Sequence, residues 1–423
     1  MSLTTKLEIL PYETREKISK DLEIKIQNKF NPSQVKYLHP FTVEEDDIKL
    51  PFAYAVQILN LKRRERTEFP SSKVVFNTPL REEQVEVERE AISRLSAKGS
   101  VMISCATGFG KTAMSIKLST TIKMKTLVIV NKIVLIPQWE GSIKKFCPEA
   151  TIQCLSPRST LEDVDYYIIN AQNIEKMGKK FFKNIGLCIV DEVHLIMAES
   201  LSRCLQYIYP RYLIGLSATP YRPDGLNDLL TIYFGDYKIV RELYCPHTVY
   251  KVNTGFTPKV EKTWDGKVDW GSILASQGGN EQRTNLICTI IHQHPDRTFL
   301  VLVKRIEQGK YLINRLQEMG ENVTDLIGTN QIFDRGARIL VGTCQKVGVG
   351  FDHDRLDTLL LATDIEEYFI QYLGRVFRRK DSNPIIFDLV DNNPILLKHY
   401  RTRQKIYQNA GGTIIEKSFL TLM

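Results

Sequence analysis

The sequence predicts an α/β chain with two tandem parallel sheets behind a small N-terminal accessory region. Three observations carry that expectation. Short apolar runs alternate with helix-like stretches in two separate series, one from about residue 100 and one from about residue 298. A glycine-bearing turn, Ala106-Thr-Gly-Phe-Gly-Lys-Thr112, follows the first apolar run of the first series and has no counterpart in the second. At 423 residues the chain exceeds the usual size of a single hydrophobic core.

Residues 1–75 form the accessory region. Glu13–Ile26 mixes charge with recurrent apolar positions and reads as a helix, while Pro51–Leu61 is apolar and breaks into Lys62-Arg-Arg-Glu-Arg66. That basic run either meets backbone phosphate or is a solvent-facing turn. The first sheet domain spans 76–235 and opens at Phe76-Asn-Thr-Pro-Leu-Arg-Glu-Glu-Gln84, with Pro79 placed to start a helix. Gln84 offers a paired acceptor and donor suited to an adenine edge, and Arg81 lies beside it, unless both are plain helix-surface side chains. Strands are expected at Val101–Ser104, Thr126–Val130, Tyr167–Ile169, Cys188–Val190 and Leu213–Leu216. Residues 236–285 change character: Trp264, Asp265-Gly266, Trp270 and Gln277-Gly-Gly-Asn280 suggest a turn-rich connector, either a strand-separating element or a plain linker. The second sheet domain, 286–423, resumes with Thr298–Val303, Ala337–Val341, Thr358–Ala362 and Pro384–Phe387.

In the glycine-bearing turn, Gly108 and Gly110 let backbone N–H groups face phosphate oxygens, with Thr107 in the same loop. Lys111 is then placed for the β- and γ-phosphates and Thr112 for Mg²⁺. An ordinary glycine turn is the alternative. The apolar run Ile185–Val190 delivers Asp191 and Glu192 to a strand's carboxyl end, where Asp191 suits Mg²⁺ and Glu192 suits the water attacking the γ-phosphate. Adjacent carboxylates there also make a helix cap. His194 is assigned to nucleotide sensing through Ser217-Ala-Thr219, and no Cys/His spacing makes it a zinc ligand. Lys132, Gln138 and Asn170 follow strand signals where they meet backbone phosphate. Trp139 reads equally as core or as a base-stacking ring.

These segments together resemble the superfamily 2 helicases of the DEAH/DEVH-like group over roughly residues 76–410. The resemblance lies in Ala106–Thr112, Val128–Trp139, Asp191–His194, Ser217–Thr219, Leu300–Lys304, Val341-Gly-Thr343 with Gly348-Val-Gly-Phe-Asp352, and Gln371-Tyr-Leu-Gly-Arg-Val-Phe-Arg378. It implies two RecA-like domains sharing one ATP site. Arg81 and Gln84 then read adenine, Gly350, Asp352 and Gln371 contact nucleotide, and Arg375 and Arg378 act as arginine fingers on one helix face. Thr343 grips the nucleic-acid track. The branch it resembles most is the one translocating on duplex DNA: the xeroderma pigmentosum group B type, phage branch-migration helicases, and transcript-release helicases of large DNA viruses. Two departures stand out: the stretch from Thr324 to Arg338 is short, and no segment matches that type's Arg-Glu-Asp strand-separation element.

The expectation is therefore an ATP- and Mg²⁺-dependent helicase or translocase on duplex or branched DNA, serving transcription, repair or recombination. An RNA-directed helicase, and a platform that recruits RNA polymerase or transcription factors with little turnover, are the alternatives. A net charge of +8 from 57 basic and 49 acidic residues suits a phosphate backbone. The chain lacks an apolar membrane-spanning run or signal segment, so an intracellular site (cytoplasm, nucleus, viral factory or virion) and no membrane partner are expected. Eight cysteines without a CxxC pair read as reduced thiols in or near the core.

Overall fold

The computed structural model describes residues 2–27, 35–196, 203–218, 227–348, 351, 353–366, 369–379 and 382–418. The chain divides into two compact units, the first running to Arg241 without Ala106–Gly108, and the second comprising those three residues and the chain from Glu242. Each is built on a seven-stranded, wholly parallel sheet of the RecA-like kind, and the first also carries a small N-terminal β domain.

That N-terminal domain pairs β1 (Ser2–Lys6), β5 (Asp47–Pro51) and β4 (Thr42–Glu44) antiparallel, beside a hairpin of β2 (Ile24–Gln27) and β3 (Val35–Leu38). Tyr12–Asp21 is its helix, shorter than the expected Glu13–Ile26 because β2 takes over the last residues. Leu3, Leu10, Ile18, Leu22, Ile48 and Leu50 form its core, and Phe52 enters the core of the neighbouring sheet.

The basic run after it resolves differently from both expected readings. Arg63 donates to the carbonyls of Leu95 (3.0 Å) and Ser96 (2.9 Å) at the end of helix Glu82–Lys98. Arg66 donates to Lys123 O (2.6 Å) at the end of helix Lys111–Ile122, and Arg64 to the carbonyls of Lys183 and Tyr209. The last carbonyls of a helix have no partner within it and sit at the negative end of its dipole, so a guanidinium satisfies them doubly. The run is thus neither a solvated turn nor a set of side chains left over for phosphate: it straps two helices.

The first sheet has the order β12-β6-β11-β10-β7-β9-β8, from β6 (Ser100–Cys105), β7 (Thr126–Val130), β8 (Ile152–Leu155), β9 (Tyr166–Asn170), β10 (Leu187–Val190), β11 (Tyr212–Ser217) and β12 (Lys238–Arg241). The second has the order β17-β18-β16-β19-β20-β13-β21. Its strands are β13 (His247–Asn253), β16 (Phe299–Val303), β17 (Val323–Leu326), β18 (Ile339–Thr343), β19 (Thr358–Leu361), β20 (Ile385–Val390) and β21 (Gly412–Ser418), with a small hairpin, β14 (Glu261–Lys262) and β15 (Val268–Asp269), between the first two. Strand residues alternate between two cores: Leu300 and Leu302 face one side, Phe299, Val301 and Val303 the other. Every expected strand is found. Within the two seven-stranded sheets, those not expected, β8, β12, β13, β17 and β21, lie at or next to a sheet edge, where one face meets water and the continuous apolar run gives way to mixed sequence. Two of them, β12 and β13, fall inside the stretch 236–285 read as connector, each belonging to one sheet.

Candidate functional site

The turn after β6 places its glycines in the left-handed region, Gly108 at φ 90° and Gly110 at φ 91°, and helix Lys111–Ile122 begins directly after. The left-handed φ at Gly110 favours glycine, and a Cβ there would also lie 2.5 Å from Gln84 Nε2 and displace that amide. Gln84 is buried, accepting from Arg81 N (2.9 Å) and donating to Phe109 O (2.7 Å), and the Arg81 guanidinium also donates to Phe109 O. Both residues expected at an adenine therefore border the turn and brace its carbonyl. Lys111 Nζ donates to Cys105 O at 2.8 Å, which folds the ammonium back over the loop. Thr107 lies within the turn and Thr112 in the first turn of the helix.

Two strands away, β10 ends at Asp191. Its Oδ2 accepts from Trp139 Nε1 (2.8 Å) and its Oδ1 from Glu192 N (2.9 Å). Desolvation and the adjacent Glu192 carboxylate push the Asp191 carboxyl up to about 6, against the pull of the Trp139 hydrogen bond and the Lys111 charge. Glu192 holds a left-handed φ of 46°, uncommon for a side chain of its kind, and its buried Oε2 accepts no hydrogen bond, with His194 Nδ1 at 3.5 Å. Strain and an under-satisfied carboxylate at one position are the marks of a site shaped for something beyond folding. His194 is buried, and its Nδ1 lies 3.0 Å from Ser217 Oγ at the end of β11. Sequence reasoning joined these two residues, and the structure brings them into contact. Thr219 lies outside the described residues.

Trp139 settles on the core side of its two readings: it is 2 % exposed, in a buried stripe with Leu135 and Ile143. Its bond to Asp191 went unforeseen, although a signal existed, since a buried indole N–H needs an acceptor and the nearby strand end offers two carboxylates. Among the expected backbone contacts, Lys132 is half-buried in the turn after β7 and Gln138 is exposed on helix Leu135–Phe146. Asn170 is different. It is 4 % exposed and its Oδ1 caps the next turn through Gln172 N (3.0 Å), so the side chain serves local structure and does not face an external polymer.

In the second unit, Thr343 closes β18, half-buried. Gln371 and Arg375 lie on helix Phe369–Val376. Arg375 is buried, donating to Phe351 O and, at 2.8 Å, to Gly348 O, so its guanidinium clamps the segment that follows β18 and is not extended as a finger. Because the helix ends at Val376, Arg378 falls beyond it, and the expectation that the two arginines share one helical face does not hold. Gly350 and Asp352 lie outside the described residues.

The family described as type III restriction enzyme, res subunit, matches residues 77–222, the stretch holding the turn, Asp191 and Ser217. Putative helicase 161L of Invertebrate iridescent virus 6 is 44% identical over 425 residues, covering 94% of this chain and 95% of that protein. This chain belongs to the superfamily 2 helicases. Putative helicase 055L of Frog virus 3 (isolate Goorha) is 32% identical over 373 residues, covering 86% of the helicase and 85% of the relative. In fold, the helicase is similar to S. cerevisiae Dbp5 bound to RNA and ADP BeF3, with TM-score 0.57 and 13% identity over 79% of this chain and 90% of that one.

Membership carries ATP-dependent action on nucleic acid, with Mg²⁺, to this helicase. The donor set fits that cation. Two adjacent carboxylates, one held protonated more readily than usual and one with an oxygen accepting nothing, stand where a hard divalent ion would relieve both. All eight cysteines are unpaired thiols, and burial lifts those of Cys188 and Cys204 to about 12. No helix among the described residues is long and apolar enough to cross a membrane.

Proposed function

We propose that this helicase is a motor tracking on duplex or branched DNA, driven by ATP hydrolysed on its first sheet domain and serving transcription, repair or recombination. The observation that carries the ATP half is the Asp191–Glu192 pair at the end of β10, recessed, close to the charge of Lys111 and incompletely satisfied. Lys111 and the N-terminus of its helix hold the β- and γ-phosphates, while Gln84 and Arg81 turn toward the adenine. Thr112 and Asp191 hold Mg²⁺, which neutralises phosphate charge when bound. Glu192 Oε2 orients the attacking water and takes its proton. Arg378 is assigned the guanidinium charge for the transferring phosphoryl group, and Gln371, Gly350 and Asp352 are assigned contacts with the nucleotide. Arg375 acts as a positioning residue through Gly348 and Phe351, and the His194–Ser217 contact relays the state of Glu192 to the end of β11.

Lys132, Gln138 and Thr343 grip backbone phosphate, giving little base preference. The DNA half of the reading is supported by the likeness of Val128–Trp139 to the family's strand-linked DNA-contact segment, by the resemblance to the duplex-translocating branch and by the net charge of +8. It is tested by ATP turnover at fixed salt with single-stranded DNA, duplex DNA, branched DNA and structured RNA in turn. Duplex or branched DNA should stimulate most. Strongest stimulation by RNA would transfer the reading to an RNA-directed helicase, and stimulation by none would remove the motor in favour of a binding platform for transcription proteins.

A further inference from the structure

The β14–β15 hairpin presents Trp264 at its tip, and this side chain is 99 % exposed. A fully solvated indole contributes nothing to a core, and the turn itself requires no aromatic ring at that position. The turn is well held. Thr263 N donates to Lys267 O (2.8 Å), Gly266 N to Thr263 O (2.9 Å), and Gly266 takes a left-handed φ of 80°. Its strand is bolted to helix Trp270–Gly279, with Lys259 N donating to Ser276 Oγ and Glu261 N to Ser272 Oγ, both at 2.9 Å. The local charges cancel in pairs, Lys259 with Glu261 at 2.6 Å and Lys267 with Asp265 at 2.8 Å. What the tip offers is a ring, not a field.

Topology says where that ring stands. β13, β16 and β18 are parallel members of one sheet, so Asn253, Lys304 and Thr343 all mark its carboxyl edge, and the hairpin leaves the sheet from there. Helix Trp270–Gly279 lies over the same edge: Arg305 Nη2 donates to Gly271 O (2.8 Å), and Gln277 Nε2 donates to Asp391 Oδ2 (2.6 Å) beyond β20. We propose that Trp264 is a stacking pin, whose indole, held out from the edge that carries Lys304 and Thr343, covers an unpaired nucleobase where two strands part or rejoin. Base-on-aromatic stacking tolerates any sequence, which matches a tracking enzyme. The proposal rests on that edge facing nucleic acid, and it supplies a strand-parting group to a chain without an Arg-Glu-Asp element.

The test uses the full chain without ATP and forked oligonucleotides carrying 2-aminopurine at the first unpaired position, in DNA and RNA versions, beside a fully paired control. Wild type should quench the probe on binding. Trp264→Ala should lose most of the quench and bind the fork about tenfold more weakly, with binding to the paired control unchanged, and Trp264→Phe should recover most of both. The polymer giving the larger quench identifies the nucleobase's source. An equal quench in Trp264→Ala, no quench in wild type with either fork, or equal weakening on the paired control would overturn the pin. Nucleic-acid-stimulated ATP turnover is read separately: its absence in wild type would sink the motor reading while leaving the fluorescence result to decide the pin.

Discussion

The carboxyl edges of the two sheets are built on one plan and handle charge in opposite ways. On the second sheet, Asp388 is fully buried in β20 and receives Arg403 through two bonds of 2.8 Å, while Asp364 takes the other arm of Arg403 (2.9 Å) and His399 (2.6 Å). Asp391 receives Arg283, Gln277 and Thr254. Each of these three carboxylates is closed by a partner from its own domain. On the first sheet, Asp191 has an indole and one backbone N–H, no arginine, and a like-charged neighbour. Buried ions that are fully paired make a scaffold, whereas ions left short of partners cost stability and are available to a ligand. The buried carboxylates of the second sheet are thus committed to rigidity, whereas on the first sheet Glu192 Oε2 is left without a hydrogen-bond partner.

The comparison breaks most visibly at Glu192. Glu192→Gln should keep nucleotide binding and lower stimulated phosphate release roughly 10²- to 10⁴-fold. Near-normal release would mean that the Asp191–Glu192 pair, like the Asp388–Arg403 pair, is only scaffold. The converse test is Arg403→Met, which leaves Asp388 and Asp364 without their guanidinium. We expect a loss of about 3–5 kcal/mol in the unfolding of the second unit, followed by denaturant titration, while nucleotide binding to the first domain persists. A silent Arg403→Met would show that the second edge does not depend on its closure.

Trp139→Phe probes the first edge more finely. The indole bond favours ionised Asp191, so removing it should raise that carboxyl further. On the reading that ionised Asp191 holds Mg²⁺, the cation competes with the proton, so turnover in wild type should fall in acid below the metal-free value of about 6, and the variant's acid limb should move up by about one pH unit. Stability of the metal-free protein should carry the opposite sign. A carboxyl whose folded pKa lies above its unfolded value opposes folding at neutral pH, and that penalty is relieved as pH falls through the folded value. An unmoved acid limb would detach Asp191 from the metal. The smallest effect is expected of Arg66→Ala, about 1 kcal/mol of stability from one helix end, with the salt dependence of DNA binding unchanged. A shallower salt slope would return Arg66 to the phosphate backbone.

What the sequence made legible follows burial. The inner strands were readable because they are apolar on both faces, and the turn at Ala106–Thr112 because φ near 90° at two positions needs glycine. Asp191, Glu192, His194 and Ser217 were readable from strand ends. Illegible were the edge strands, whose pattern is diluted by water, and side chains whose partners are remote in sequence. Trp139 reaches Asp191 across 52 residues, and Arg64 reaches Tyr209 across 145. Arg375 misled for a related reason. An arginine beside a glycine on a helix looks free to act, and only the fold reveals that seven of that helix's eight residues are buried and that the guanidinium is already committed.

The arginine strap has a mechanical meaning. Helix Glu82–Lys98 holds Gln84 in its first turn, and helix Lys111–Ile122 starts at the glycine-bearing turn, so each runs as a stiff rod from that turn to a carboxyl end gripped by Arg63 or Arg66. At about 1.5 Å per residue these rods are roughly 25 and 18 Å long. The run that follows the N-terminal domain therefore ties the carboxyl ends of both rods to one short stretch of chain. Arg63 and Arg66 thus serve two helix ends from positions three residues apart in the chain.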